Sequence, residues 1–456
     1  MATQTLATWS TTLTYSTLPP SVIHAAIRSF YNWTGCTVGG STHPASKIAL
    51  KALSRFSGPP TSRLLGSDGS VDVDAMHAAL LNGIASHVHD YDDTHLDTVI
   101  HPTGPVASAL LAVVQSLERE VSGEEFITAL VVGVEGECKV GLGVWPGHYD
   151  VGWHITSTTG SIGAALAVSK ILNLTPHQTA HAIGLAATQV TGLREMFGSH
   201  TKSFHPGRAA QNGLLAAVLA AEDLTSSTTA LEAKRGWANV VSNQHRHRLD
   251  EQIATLGDGE KGRWEIVRNA FKPFPCGIVV HPVIDGCIQI HDELFREGID
   301  IERVVSVVVQ VHPLVVELTG KTAPRDGLEG KFSVYHGGAV GLLFGKATPA
   351  QYEDDVVRDL RVVAVREKIQ VEVDGGIEAD ECRIEVRLDN VDGDVKTVHV
   401  EHAVGSLERP MTDAQLTEKF LEHCLPVLGR ERTEKASQWC WGLEKVVDVR
   451  CIKDVL

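Results

Sequence analysis

Gly160-Ser-Ile-Gly-Ala-Ala-Leu-Ala167 is made almost wholly of glycine, serine and alanine, with only Ile162 and Leu166 as bulky side chains. A helix lying on a surface needs a broad stripe of large apolar residues, so this stretch predicts a helix packed closely among other helices. Its surroundings agree. From Pro20 to about Glu222 the apolar residues recur at helical spacing. Two starts carry reciprocal caps, Ser122-Gly-Glu-Glu125 and Thr175-Pro-His-Gln178, the second with proline at the first helical position. The first half of the chain therefore predicts an all-α core.

After about residue 268 the pattern changes. A β-branched run at Val304 to Val311 is followed by alternating segments, Lys368-Ile-Gln-Val-Glu-Val373, Arg383-Ile-Glu-Val-Arg-Leu388 and Lys396-Thr-Val-His-Val400. Alternation of this kind marks half-buried strands. Asp389-Asn-Val-Asp-Gly-Asp394 supplies turn chemistry for an antiparallel hairpin between the last two. Thr348-Pro-Ala-Gln351 predicts one helix start within this region and Thr412-Asp-Ala-Gln415 another beyond it. The expected fold class is mainly α: a large all-helical domain built from both chain ends plus a smaller α+β lid. Residues 1–267 and a C-terminal segment at 405–456 form the first, and 268–404 the second. The polar stretch from Thr225 to Arg263 is expected to be partly loop.

The 456 residues carry 40 Lys+Arg against 56 Asp+Glu, a formal charge of -16, which argues against a nucleic-acid footprint or a polybasic membrane patch. No apolar run approaches the roughly 20 residues that a bilayer span requires. No lysine or arginine precedes Arg28 and no apolar signal region is present, so the expectation is a cytoplasmic protein. The eight cysteines show neither a CxxC pair nor zinc-ligand spacing. Cys276, between Lys272 and His281, is the cysteine with a plausible site address, although packing explains it more simply.

Basic and titratable groups recur in four clusters. Lys202-Ser-Phe-His-Pro-Gly-Arg-Ala-Ala-Gln-Asn-Gly213, read as lying just ahead of a small-residue helix at Leu214 to Ala221, brings Lys202, His205 and Arg208 beside glycines and suits a carboxylate. The others are His87-Val-His-Asp-Tyr-Asp-Asp-Thr-His95 with His101-Pro102, Gly152-Trp-His154, and Lys272-Pro-Phe-Pro-Cys-Gly-Ile-Val-Val-His281. Asp90-Tyr-Asp-Asp-Thr94 also fits the DxDxT string of some phosphatases, and His89-Asp90 the doublet of HD hydrolases. The phosphatase string must leave a strand, whereas Met76 to His87 has the spacing of a helix end. His101 and His154 sit in loop contexts next to small or helix-breaking residues, where function concentrates. The residues alone point to a cofactor-free enzyme for a carboxylate substrate.

At these residues the chain resembles the MmgE/PrpD family, whose members include 2-methylcitrate dehydratases, cis-aconitate decarboxylases and iminodisuccinate epimerases. Four motifs stand in the family's order: Asp90 to Thr94 with His101-Pro102, Gly152-Trp-His154 with Gly160, Thr201-Lys202 through Gly213, and Lys272-Pro-Phe-Pro275 with His281. The resemblance implies a homodimer with an active site between the two domains. It places the site aspartate on Asp90, the threonine on Thr94, the histidines on His101 and His154 and the lysine on Lys202. Lys272, His281 and Tyr335 would come from the lid, and with Thr94 and Arg208 they are the expected substrate-binding groups.

Such a set suits a polycarboxylate with an acidic C–H bond or a scissile carboxylate. Lys202, Lys272 and Arg208 would stabilise enolate-like charge. His101 and His154, with unperturbed pKa values of about 6.5, would exchange protons, with Asp90 orienting an imidazole. No metal or cofactor is expected. Dehydration of a 2-alkylcitrate such as 2-methylcitrate is the first reading, decarboxylation of cis-aconitate the second and epimerisation of an acidic dicarboxylate the third. A helical scaffold protein without activity is the reading from a different class; it would need neither Lys202 nor the two histidines.

Overall fold

The Ile155–Ile171 helix lies at the centre of the larger unit, and apart from Lys170 every one of its residues is buried. Its small side chains permit this. The Thr103–Ser116, Gly123–Val144 and His200–Ala221 helices close around it, and a Cβ added at Gly163 would meet Gly133 O at 2.9 Å while one at Gly213 would meet Ser161 O at 2.6 Å. Neighbouring backbones thus approach at the distance that only glycine allows. The structure, a computed structural model, describes residues 1–67, 71–242, 247–257, 263–389 and 394–456.

Both capping boxes of the first half form, at Ser122 and at Thr175. The C-terminal Asp413–Leu428 and Arg430–Trp441 helices return to the Pro20–Gly40 helix, where Tyr31 packs against Phe420 and Trp441, each at a ring separation of 4.4 Å. The apolar core of this unit draws on residues from Ala2 to Phe271 and from Met411 to Leu456.

A second core, from Cys276 to Ala403, is assembled around a four-stranded sheet. Val304–Val311 is central, parallel to Ile369–Val373 on one side and antiparallel to Cys382–Leu388 on the other, which in turn pairs antiparallel with Val395–Val400. The His281–Arg296 and Val334–Phe344 helices supply the rest of that core. The turn expected at 389–394 falls mostly on residues outside those described, as does part of the polar stretch from Thr225 to Arg263. The fold is mainly α with a smaller α+β part.

Two local expectations change. Thr348-Pro-Ala-Gln351 does form its capping box, but it opens a four-residue 3-10 turn, because Glu353 takes an extended conformation (ψ 146°) and ends it. The segment from Lys202 to Gly213 is not a loop ahead of a helix. It is the first half of the His200–Ala221 helix, capped by Ser199 and carrying Pro206 inside it. Here glycine serves packing: a Cβ on Gly207 would stand 2.3 Å from Leu80 O, and one on Gly83 would stand 2.4 Å from the Gly207 Cα. Gly207→Ala should therefore push apart the Ala75–His87 and His200–Ala221 helices at an expected cost of about 2–3 kcal/mol. Urea unfolding is the check, with a midpoint equal to that of the parent chain counting against this close contact.

Candidate active site

The Ala75–His87 helix ends in a short loop that turns at Asp90, held in the left-handed region with φ 51°. Aspartate tolerates that conformation better than most residues, and strain of this kind collects at functional sites. The helix end also removes the phosphatase reading of Asp90 to Thr94, since a helix and not a strand leads into the string. Beyond it, Thr94–His95 pairs antiparallel with Asn269–Ala270, with Thr94 opposite Ala270. This small ladder brings Lys272, two residues on, to the same loop.

Lys272 Nζ donates to Asp90 Oδ1 at 2.7 Å, and Lys202 Nζ reaches the same oxygen at 2.9 Å from the first turn of its helix. Lys202, Lys272 and Asp90 are all buried. Burial alone would raise the Asp90 pKa, but Lys202 and Lys272, with His101 and His87, hold the carboxyl well below the usual range. Burial pulls Lys202 downward, opposed by Asp90. The ammonium also sits over the faces of Phe197 and Phe332, at 5.2 and 5.4 Å from the ring centres.

His101 closes the same loop. Its Nδ1 lies 2.8 Å from Asp93 O and 3.3 Å from Thr94 Oγ1, which leaves Nε2 directed to the Asp90 side, 4.0 Å from Oδ1. His154, the residue preceding the Ile155–Ile171 helix, faces it from across the site and shares a 2.8 Å Nδ1–Nδ1 contact with His205. The two rings stand 6.5 Å apart. Their pKa values are not the unperturbed ones expected from sequence. Burial lowers both well below the ordinary value, aided by Lys272 at His101 and by His205 and Lys202 at His154. In the resting site both are neutral.

Asp90, Thr94, His101, His154, Lys202 and Lys272 line one cavity of about 50 Å³. The smaller unit closes it with Ile278, Val279, Leu318 and Phe332, so polar groups converge from the helical side under an apolar wall. Three expected residues stand elsewhere. Arg208 lies on the same helix as Lys202 and bonds Gln211; Tyr335 packs against the second core; His281 is buried beside Phe274, ring to ring at 5.3 Å. None of the three lines the cavity. A further cavity of about 1140 Å³ opens between the two units around His43, His89, His200 and His423. Its carboxylates, Glu353, Asp354 and Glu422 among them, face only Lys47, Lys331 and Arg358 as full cations, and Asp90 and Lys202 take no part in it.

Sequence reasoning gave His87 and Asp92 no separate role, and it read His205 as part of the cationic cluster, whereas the ring meets His154. Asp92, fully buried, accepts from His87 Nδ1 at 2.8 Å and stands 3.5 Å from His101 Nδ1. Asp92 stands in the acidic string, but nothing in the string separates a carboxylate that pairs with a histidine from one that is merely solvated beside a helix end. Among the described residues, His87, Asp90, Asp92 and His101 place possible metal-ligand atoms within 4.8 Å of one another. Asp90 Oδ1 already faces two ammonium groups, so a metal ion there would be added against the charge of Lys202 and Lys272. Cys276 is buried with its thiol pKa pushed up to about 12 by burial, which suits packing rather than nucleophilic attack.

The chain is 25% identical over 473 residues to a cis-aconitate decarboxylase of Aspergillus terreus, covering 98% of this chain and 94% of that protein. It is 24% identical to the Homo sapiens cis-aconitate decarboxylase, over 96% of this chain and 91% of the other. A 2-methylcitrate dehydratase of Escherichia coli (strain K12) is 24% identical over 57% of this chain and 55% of its own length. Sequence profiles of the MmgE/PrpD N-terminal and C-terminal domains match residues 4–250 and 274–443. The chain belongs to the MmgE/PrpD family.

Proposed function

We propose that this protein is a cofactor-free lyase for a citrate-like tricarboxylic acid, eliminating water from 2-methylcitrate or another 2-alkylcitrate. The observation that carries the reading is the convergence of Lys202 and Lys272 on one buried carboxylate, with two neutral imidazoles facing the same cavity. Removing a proton beside a carboxylate develops negative charge on that group, and pre-placed ammonium groups in a site of low dielectric stabilise it without reorganisation. Burial keeps His101 and His154 neutral, so each has an unprotonated ring nitrogen available to take a proton.

Elimination of water needs two proton stations, one that takes the C–H proton and one that protonates the departing hydroxyl. Two imidazoles 6.5 Å apart supply them. Decarboxylation needs a single proton delivered to the carbon that loses CO₂. It stands as the second reading because the relatives named as cis-aconitate decarboxylases match over nearly the whole chain. The proposal extends to a cytoplasmic homodimer, which rests on family membership.

Lys202→Ala removes one of two cations that no neighbour replaces, and turnover should fall by about 10²–10³-fold with helicity unchanged. A kcat within a few-fold of the parent would mean that the carboxylate binds elsewhere.

The reaction itself is read by supplying citrate, 2-methylcitrate and cis-aconitate in deuterated water. Dehydratase activity adds water to the unsaturated acid, places deuterium on one carbon and releases no CO₂. CO₂ release matching the consumption of cis-aconitate moves the assignment to the decarboxylase, exchange without loss of either group moves it to an epimerase, and inertness to all three removes the lyase reading. His101→Asn and His154→Asn should each lower the rate by about 10²–10⁴-fold.

Light scattering should give about twice the chain mass of 49.1 kDa. A fully active monomer contradicts the dimer.

A further inference from the structure

His87 is 2% exposed and stands beside both histidines of the cavity, its ring 4.7 Å from that of His101 and 6.0 Å from that of His154. Asp92 fixes its orientation. Burial would raise the Asp92 pKa, but His87 and His101 hold the carboxyl low and ionised, so it accepts the Nδ1–H of His87. The other nitrogen, Nε2, is buried and meets no hydrogen-bond partner in the protein. An imidazole held this way presents a bare lone pair, which is the form of a general base.

His87 lines a gap of about 10 Å³ together with Asp90, Lys202, Ser203 and Lys331. That is close to the space one water molecule occupies, and the lining offers several polar partners, as a bound water requires. The gap shares Asp90, Lys202 and Phe332 with the catalytic cavity, so the two adjoin. The titratable groups around His87 are Asp92, Asp90, Lys202, His101, His154 and His205.

We propose that His87, oriented by Asp92, and the gap beside it form the water station of this site, taking the proton of the water that adds to an unsaturated acid and returning it to the hydroxyl that leaves. In the direction of addition the water oxygen bonds to one alkene carbon as its O–H bond breaks, and the proton passes to His87 Nε2. The C=C electron pair moves to the carbon beside the carboxylate, which takes a proton that the His101 and His154 pair picks up from solvent when the negatively charged acid binds. The pair returns to its neutral form, and His87 releases its proton to solvent before the next turnover. Asp92 stays ionised and offsets the imidazolium. Elimination is the same sequence reversed. This assignment rests on the dehydratase reading and refines it: the hydroxyl-side proton passes from the His101 and His154 pair to a third imidazole, and the pair keeps the carbon-side proton.

The test follows two exchanges in the full chain: incorporation of heavy oxygen from labelled water, and exchange of the carbon-bound hydrogen with deuterated solvent. His87→Gln should lower oxygen incorporation by about 10²-fold or more while hydrogen exchange stays within a few-fold. A role in packing alone lowers both together, and that result overturns the proposal, as does unchanged oxygen incorporation. Ser203→Val, which fills the gap with His87 intact, should reproduce the selective loss and serves if His87→Gln fails to fold. A parent chain that releases CO₂ and never incorporates oxygen, or that turns over none of the acids, overturns the underlying reading together with the water station. A parent and a His87→Gln chain that both incorporate oxygen overturn the water station alone.

Discussion

One carboxylate oxygen, Asp90 Oδ1, is shared by two buried ammonium groups that come from different parts of the fold. Lys202 arrives on the long helix of the larger unit, and Lys272 arrives two residues past the short Asn269–Ala270 strand, where the chain leads toward the smaller one. Two unpaired ammonium groups this deep would cost several kcal/mol each in desolvation, and one shared carboxylate offsets that while leaving an excess positive charge. The excess is available to an anionic ligand. With one lysine the cluster at Asp90 would be a neutral pair, and without Asp90 it would hold two like charges close together with nothing between them.

Two more buried lysines hold the loop that presents Asp90. Lys419, on the Asp413–Leu428 helix, donates to Asn32 Oδ1, Tyr91 O and Lys272 O at 2.6–2.8 Å. Lys331, from the smaller unit, donates to His89 O and to Pro275 O. Burial lowers the pKa of each to about 8. Carbonyls of residues 89 and 91 are thus fastened on both sides of Asp90, one by the C-terminal helix and one by the other unit. A left-handed aspartate persists only where its surroundings determine it, and these donors supply that determination. The chain ends of the larger unit and the inserted smaller unit therefore meet at the active loop.

The fold class was legible because its signals are local. Small residues at Gly160 to Ala167 allow only close helix packing, and the alternations at residues 368–373, 383–388 and 396–400 become three strands of one sheet. The site was legible as residue types more than as geometry. Lys202 and Arg208 read as one cationic cluster, yet six residues along a helix rotate a side chain by about 120° from its starting face. Lys202 therefore reaches Asp90 while Arg208 turns to Gln211. His205, three residues on, stays near the Lys202 face and meets His154. Asp92 and His87 carried no distinguishing pattern, since pairing between them depends on how the loop folds back over the helix end.

Burial changes the meaning of the histidines as well. Sequence composition suggests groups poised near neutrality, but desolvation leaves His101 and His154 uncharged in the resting site. A polycarboxylate ligand brings negative charge into the same cavity, and a neighbouring negative charge favours the protonated imidazole. Binding would then raise both pKa values toward neutrality, and a ring that starts as a base acquires the ability to return a proton once the ligand is bound. The lysines act in the opposite sense and keep the rings neutral until that charge arrives. Proton transfer is in this way coupled to occupancy of the carboxylate site, and the coupling follows from placing two imidazoles and two ammonium groups around one buried aspartate.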